Sequence, residues 1–334
     1  MTAIPFVTLA DARYGEAVEV APLIRRVVAH NPSKFTYLGT GTYIVGSPAR
    51  GASVAVIDPG PKLDEHRDAL AAALDGQTVS AILVTHCHAD HSPLAAWLRA
   101  ETGAPTVAFG PHPRPTDDDL DDPDDPADDE TERDADASTP SDTPSSEPAK
   151  IEETTDHDFV PDVCAADGEV VAAGDGWTMR AVLTPGHTSN HTCFTLDEER
   201  ALFTGDHIMG WSTTVIAPPD GDMRAYFESL RRVEGRRDHT FWPTHGAPVT
   251  DTAPFVEAFI AHRLQREANV LAAIRNGETS IKEIVRLLYA DVRKQLHAPA
   301  RRSVLAHVIK LVDDGVVAVD GGGRPRIRSI YRPV

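Results

Sequence analysis

Cysteine is scarce in this chain. Cys87, Cys164 and Cys193 are the three among 334 residues. They form no C-x-x-C pair, which excludes a disulfide framework and leaves reduced, structural thiols as the expectation. Long apolar runs are missing too. No stretch approaches the ~18 consecutive apolar residues of a membrane span, and the opening MTAIPFVTLADARYGEAVEV lacks a basic start followed by an uninterrupted apolar run. The expectation is a soluble cytoplasmic protein with no membrane partner. Lysine is rare, six against 26 arginines beside 51 acidic residues, a balance that suits either a salt-rich cell or a GC-rich genome. No internal repeat is present.

Apolar residues, at 41%, suffice to bury one large core and a small accessory domain. The formal net charge of −19 looks hostile to nucleic acid until it is divided along the chain. Residues 115–158 hold 19 acidic and two basic residues, net −17, whereas residues 262–334 hold 14 basic and seven acidic, net +7. The acidic stretch cannot bury enough apolar area to offset the entropy of ordering, so it is predicted to be a disordered insert within a larger domain spanning 1–261. Such an insert either keeps the chain solvated or acts as an acidic gate that repels anions.

From Phe35, FTYLGTGTYIVG and VAVIDPG read as short strands punctuated by glycine. LDEHRDALAAAL carries alanine and leucine at helical spacing with acids in its first turns, and VSAILVTH is the apolar run of a buried strand. His86 thereby falls at the carboxyl end of a strand, where α/β folds commonly place their sites. After Phe159, the segments VVAAG, WTMRAVLTPGH, TCFTL and ALFTGD give a second set of strands, so two strand-rich halves bracket the helices. From Thr252 the texture turns helical, and three helices followed by VVAVDGGGRPRIRSIYRPV make a winged helix over 262–334. Arg301, Arg302, Lys310, Arg324, Arg326 and Arg328 gather on its last helix and hairpin.

The segment Thr85-His86-Cys87-His88-Ala89-Asp90-His91 places three imidazoles and one carboxylate in six positions of one loop. Imidazole nitrogen binds zinc at about 2.0–2.1 Å and carboxylate oxygen at about 2.0–2.2 Å, so a tight turn can aim alternate side chains at one cation and the next pair at another. One histidine alone would be ordinary. The cluster gains distant partners in His187 (TPGHTSNH), Asp206 (LFTGDH) and His245 (WPTHG), each after an apolar strand and beside a glycine. Two cations about 3.5–4 Å apart lower the pKa of a shared water from 15.7 toward about 7 and stabilise charge on the attacked and leaving oxygens. The chain is therefore expected to be a hydrolase with two divalent metal ions of the zinc type. Asp90 is the candidate to orient the attacking hydroxide. His191 is a candidate to donate a proton to the leaving group, with a core or surface role as the equal alternative. Cys87 and His207 are not expected to ligate.

Taken in order, HCHADH, GH, GD and THG resemble the complete motif series of the metallo-β-lactamase superfamily. The resemblance implies an α/β fold built as a four-layer αββα sandwich, with His86, His88 and His187 on a first metal, Asp90, His91 and His245 on a second, and Asp206 bridging them. It also implies that Asp58, in VIDPG, accepts a proton from a ligating imidazole, with Thr85 in a weaker version of that role. The segments NPSKFTYLGTGTYIVG, GWSTTVIAPPDGDMRAYFESLRRV and AHRLQREANVLAAI resemble the β-lactamase-like hydrolases with a C-terminal winged helix, a subgroup that includes a single-strand-specific endoribonuclease. Three functions follow as alternatives. One is a phosphodiesterase of single-stranded RNA, with the basic tail on phosphates. The second is a glyoxalase II-like hydrolase of a small thioester or ester, with the tail serving a homodimer. The third is a DNA-binding sensor acting through the winged helix. The stretch from Asp206 to His245 is too short for the large extra domain of resembling RNA-processing nucleases, which disfavours a large polynucleotide channel. The lack of a secretion signal disfavours antibiotic hydrolysis.

Overall fold

The computed structural model describes residues 4–114, 154–290 and 297–334. Strands β1 (Val18–Ala21), β2 (Ile24–Val28), β3 (Gly41–Val45), β4 (Ser53–Ile57), β5 (Thr78–Leu83), β6 (Thr106–Ala108) and β7 (Val163–Cys164) form one sheet in chain order. The pairs from β1 to β4 are antiparallel and those from β4 to β7 parallel. Parallel neighbours need a crossover, and α1 (Asp64–Ala73) and α2 (Ala95–Thr102) supply the first two. A second sheet holds β8 (Val170–Gly174), β9 (Trp177–Leu183), β10 (Thr192–Leu196), β11 (Ala201–Gly205) and β12 (Thr240–Pro243), with α3 (Met223–Glu234) crossing between the parallel strands β11 and β12.

Side chains alternate between the faces of a strand, and here both faces of both sheets are covered. The inner faces meet as Ile24, Tyr43, Ile57 and Leu83 pack on Trp177, Met179, Phe194 and Phe203. On the outside of the first sheet, Val27, Ile44, Val56 and Ile82 lie under Leu70 of α1 and Leu98 of α2. On the outside of the second, Val182, Leu202 and Phe241 lie under Tyr226 and Leu230 of α3 and Phe255 and Phe259 of α4 (Thr252–Arg275). The result is the four-layer αββα sandwich.

The later turns of α4 leave that core and enter another. Val270, Ala273 and Ile274 pack with α5 (Ile281–Leu288), α6 (His297–Asp313), β13 (Val317–Val319) and β14 (Tyr331–Pro333) around Ile284, Val304, Leu311 and Tyr331. A capping box between Ser280 and Glu283 starts α5. This is the expected winged helix. The division expected at 261/262, however, falls inside α4, because one continuous helix supplies apolar side chains to both cores. Among the described residues, no helix is long and apolar enough to cross a membrane.

Two further segments differ from the sequence expectation. Residues 115–153 of the expected insert lie outside the described residues, but 154–158 are ordered against the histidine loop. There the Ala89 N–H donates to Thr154 O at 2.9 Å, the Asp156 N–H to Cys87 O at 2.7 Å, and Ser92 Oγ to Asp156 Oδ2 at 2.7 Å. Buried backbone groups of that loop need partners, and these residues provide them. Phe35–Thr40, expected as strand, is a loop in which Ser33 Oγ accepts from the Phe35 and Thr36 backbones.

Phe194 is fully buried between the sheets. Phe194→Ala is expected to lower the unfolding free energy by about 3–5 kcal/mol in a denaturant titration. Val160→Ala, at a residue 67% exposed, is expected to change it by less than about 0.5 kcal/mol.

Candidate metal centre

Strands β4, β5, β9, β11 and β12 all end at one edge of the sandwich, and the residue types singled out in the sequence sit on the loops that leave them. Asp58 follows β4, the histidine loop follows β5, His187 follows β9, Asp206 follows β11 and His245 follows β12. Two glycines make the approach possible. Gly205 has φ +51°, and a Cβ there would stand 2.7 Å from His191 Nε2 and 2.9 Å from Thr85 Cβ. Gly186, with φ +141°, lets the chain pass α3, where a Cβ would meet Tyr226 Cα at 2.4 Å.

Three overlapping groups of donor atoms converge: His86, His88 and His187; His86, His91 and Asp206; Asp90, His91 and His245. Within each group the donor atoms lie no more than 4.8 Å apart. His88 Nδ1 faces His86 Nε2 at 3.0 Å and His187 Nε2 at 3.3 Å. His245 Nε2 lies 3.2 Å from Asp90 Oδ2 and 3.4 Å from Asp206 Oδ1, and His91 Nε2 lies 3.3 Å and 3.7 Å from the same two atoms. Asp206 Oδ2 is 3.8 Å from His187 Nε2.

Hydrogen bonds on the far side of each ring fix which nitrogen is free. Thr85 Oγ1 donates to Asp58 Oδ2 at 2.8 Å, so it accepts from His86 Nδ1 at 3.0 Å, which leaves His86 Nε2 as a lone pair. His91 Nδ1 donates to Asp58 Oδ2 at 2.9 Å, His187 Nδ1 to Val215 O at 2.6 Å and His245 Nδ1 to Gly39 O at 3.2 Å. In all four rings Nε2 points inward. Asp58 itself accepts from the Thr85 N–H at 2.8 Å and from Thr244 Oγ1 at 2.9 Å as well. It therefore supports an imidazole as expected, and Thr85 does the same for His86.

The residues present fit a cation. Buried His91 Nε2 and Asp206 Oδ1 have no hydrogen-bond partner among the described residues, which is costly for polar atoms unless something positive stands between them. Zinc–nitrogen bonds of about 2.0–2.1 Å give a tetrahedral ligand-to-ligand edge of about 3.3 Å, close to the separations around His88. Asp58, Asp90 and Asp206 are all buried, and no ion pair among the described residues brings lysine or arginine to any of them.

The electrostatics divide the cluster. Burial, with the neighbouring imidazoles, holds His86 well below the usual histidine range, and burial with His187 takes His88 down to about 3. Burial also lowers His187. At His91 and His245 burial acts the same way but is outweighed by Asp90 and Asp206, which hold a proton on both rings and take His245 up to about 10. Burial favours neutral carboxyls at Asp90 and Asp206, yet the imidazoles keep both well below the usual carboxylate range. A cation would replace those protons.

His191, expected either as a proton donor or as a core residue, takes the core position. Its ring is fully buried. Nδ1 pairs with Thr184 Oγ1 at 2.9 Å, and Nε2 accepts the Asp206 backbone N–H at 3.2 Å, so it steadies Asp206 from behind. Cys87 points away from the centre as expected. It is fully buried, Asn190 Nδ2 donates to its Sγ at 3.1 Å, and burial pushes its thiol up to about 11. His207 is buried on Tyr226, 5.0 Å between ring centroids. Sequence reasoning missed Thr40, whose Oγ1 donates to Asp90 Oδ2 at 3.0 Å, and Thr244. Only the adjacency of Thr244 to His245 hinted at either.

Comparison with known proteins gives a consistent picture. A family model described as the metallo-beta-lactamase superfamily matches residues 39–245, and one described as the beta-lactamase associated winged helix domain matches 280–324. The chain is 28% identical over 320 residues to an atrochrysone carboxyl ACP thioesterase of Aspergillus novofumigatus, covering 91% of this chain and 83% of that one. It is 29% identical to a beta-lactamase-like protein 2 homolog of Caenorhabditis elegans, covering 90% and 87%. Among solved structures, a beta-lactamase domain protein from Burkholderia ambifaria superposes with a TM-score of 0.72 at 21% identity, covering 97% and 95%.

Asp58→Ala would strand the donors of Thr85, His91 and Thr244. Its expected effect is a loss of about 10–100-fold in zinc affinity, measured by competition with a chelator. An unchanged affinity would show that the rings need no such support.

Proposed function

This chain belongs to the metallo-beta-lactamase superfamily and is a hydrolase; from that premise we propose that it binds two zinc ions and hydrolyses a thioester. His86, His88 and His187 would hold the first ion, Asp90, His91 and His245 the second, and Asp206 both. The observation that carries this reading is the reach of the Asp206 carboxylate. One oxygen lies 3.4 Å from His245 Nε2 and the other 3.8 Å from His187 Nε2, so a single side chain spans the two donor groups. Such a pair of cations would supply a water of pKa near about 7 and stabilisation for negative charge on the attacked oxygen.

The chain's own residues do the rest. Asp90, kept ionised and fixed by Thr40 Oγ1, accepts a hydrogen bond from the attacking water and aims it at the carbonyl. Asp58 and Val215 O hold the His91 and His187 rings in the tautomer that presents Nε2. His191 keeps the Asp206 backbone in place.

Two observations favour a thioester over a polyanion. The relative from Aspergillus novofumigatus is named as an acyl-carrier thioesterase and matches along 91% of this chain. Thr154, which follows the acid-rich stretch 115–153 in sequence, also accepts from the Ala89 N–H of the histidine loop, and so acidic a stretch in the same chain disfavours a phosphate backbone as substrate. The second reading, cleavage of single-stranded RNA, is favoured by the net +7 of residues 262–334.

A panel of an acyl thioester, labelled single-stranded RNA and bis-nitrophenyl phosphate, each with and without chelator, separates them. Chelator-sensitive thioester cleavage is expected, and RNA cleavage without thioester cleavage would reverse the assignment. Asp90→Ala and His88→Ala are each expected to remove nearly all turnover while leaving the circular dichroism spectrum of the folded protein unchanged. Full activity in either variant with its metal replenished would refute the role of that residue.

A further inference from the structure

Arg263 lies within α4, 3% exposed, and no ion pair among the described residues brings it a carboxylate. Its Nη2 donates to the Thr214 carbonyl, and its guanidinium sits 5.3 Å over the Tyr226 ring. Its Nε is buried without a partner. A buried cation with so few partners is costly, so its contacts bear on what it does.

Those contacts fall on the segment that carries one donor residue, Asp206, and supports a second, His187. The single Thr214 Oγ1 proton is shared between Asp206 O at 2.8 Å and His207 O at 3.0 Å, closing the segment from 206 to 214 into a loop. Tyr226 Oη donates to His207 O at 2.8 Å from the other side. The next carbonyl along, that of Val215, receives His187 Nδ1. Arg263 thus grips a peptide segment that holds Asp206 through its backbone and His187 through its ring. We propose that Arg263 is a positioning residue for the metal centre, clamping residues 206–215 so that His187 and Asp206 meet at a fixed separation.

The clamp is anchored in both parts of the fold. Phe255 and Phe259, N-terminal to Arg263 on α4, are buried in the sandwich, whereas Val270 and Ile274 are buried in the winged helix. Between them Glu267 pairs with Lys310 of α6 at 2.9 Å. The winged helix thereby steadies the helix from which Arg263 reaches the centre. This gives the C-terminal unit a part in metal binding that requires no nucleic acid.

The inference rests on the metal-dependent reading above, and zinc affinity of the full chain tests it. Arg263→Met keeps an unbranched apolar stem that packs readily in a core while removing the buried guanidinium. The expected result is zinc affinity weakened about 10–100-fold, with the melting temperature of the metal-free protein within a few degrees of the parent's. Arg263→Lys, which keeps charge but loses the planar fork, is expected to lose less affinity and carries the same comparison should Arg263→Met not fold. A parent that binds zinc, with both variants binding it equally well, would overturn the clamp and leave the metal centre standing. A parent that binds no zinc would overturn both.

Discussion

Four hydrogen bonds meet on the buried carboxylate of Asp58, and the rest of the centre hangs from them. They come from the Thr85 backbone, the Thr85 hydroxyl, the His91 ring and the Thr244 hydroxyl. An ionised carboxylate taken out of water is tolerable only when its lone pairs are occupied. The three residues that supply them lead to different ligands of the site. Thr85 passes the constraint to His86, His91 belongs to the other donor group, and Thr244 brings in the loop of His245 from the opposite sheet. One charge therefore sets the tautomers of two rings and ties β4, β5 and β12 to a common point.

The sandwich explains why such a point exists. With both sheets packed face to face and both outer faces covered by helices, the polar groups of strand ends have only one place to collect, the rim. Five strand ends do so, and Gly186 and Gly205 remove the side chains that would hold the loops apart. Imidazoles and carboxylates then face one another out of water, and the protons that Asp90 and Asp206 hold on His91 and His245 stand where a cation would otherwise supply the positive charge. The hydrophobic core supplies the stability against which that arrangement is held.

The chemistry was more legible in the sequence than the structure around it. His86, His88, Asp90 and His91 declare themselves because ligand types crowd one short loop. His187, Asp206 and His245 stand out because each follows an apolar strand and touches a glycine. The winged helix was readable from helical spacing and the glycine-rich turn. By contrast β2 was hidden, since Arg25 and Arg26 interrupt its apolar pattern. Both are nearly buried and spend their guanidinium groups on Ala73 O, Gln77 Oε1 and Gly246 O. His191 was left between a proton donor and a core residue because spacing from His187 says nothing of which way a ring points. Thr40 and Val215 O were out of reach because hydroxyls and carbonyls carry no sequence signature until the chain is folded.

Cys87 shows what burial does to a reactive group set between two donor residues. Sulfur chemistry runs through the thiolate, and this thiol is sealed from solvent, capped by the Asn190 amide and held in its protonated form. It is a poor partner for soft metals, oxidants and alkylating agents alike. The loop that carries the histidines therefore keeps its geometry when the redox balance around the molecule swings, and competition for the incoming cation is left to nitrogen and oxygen.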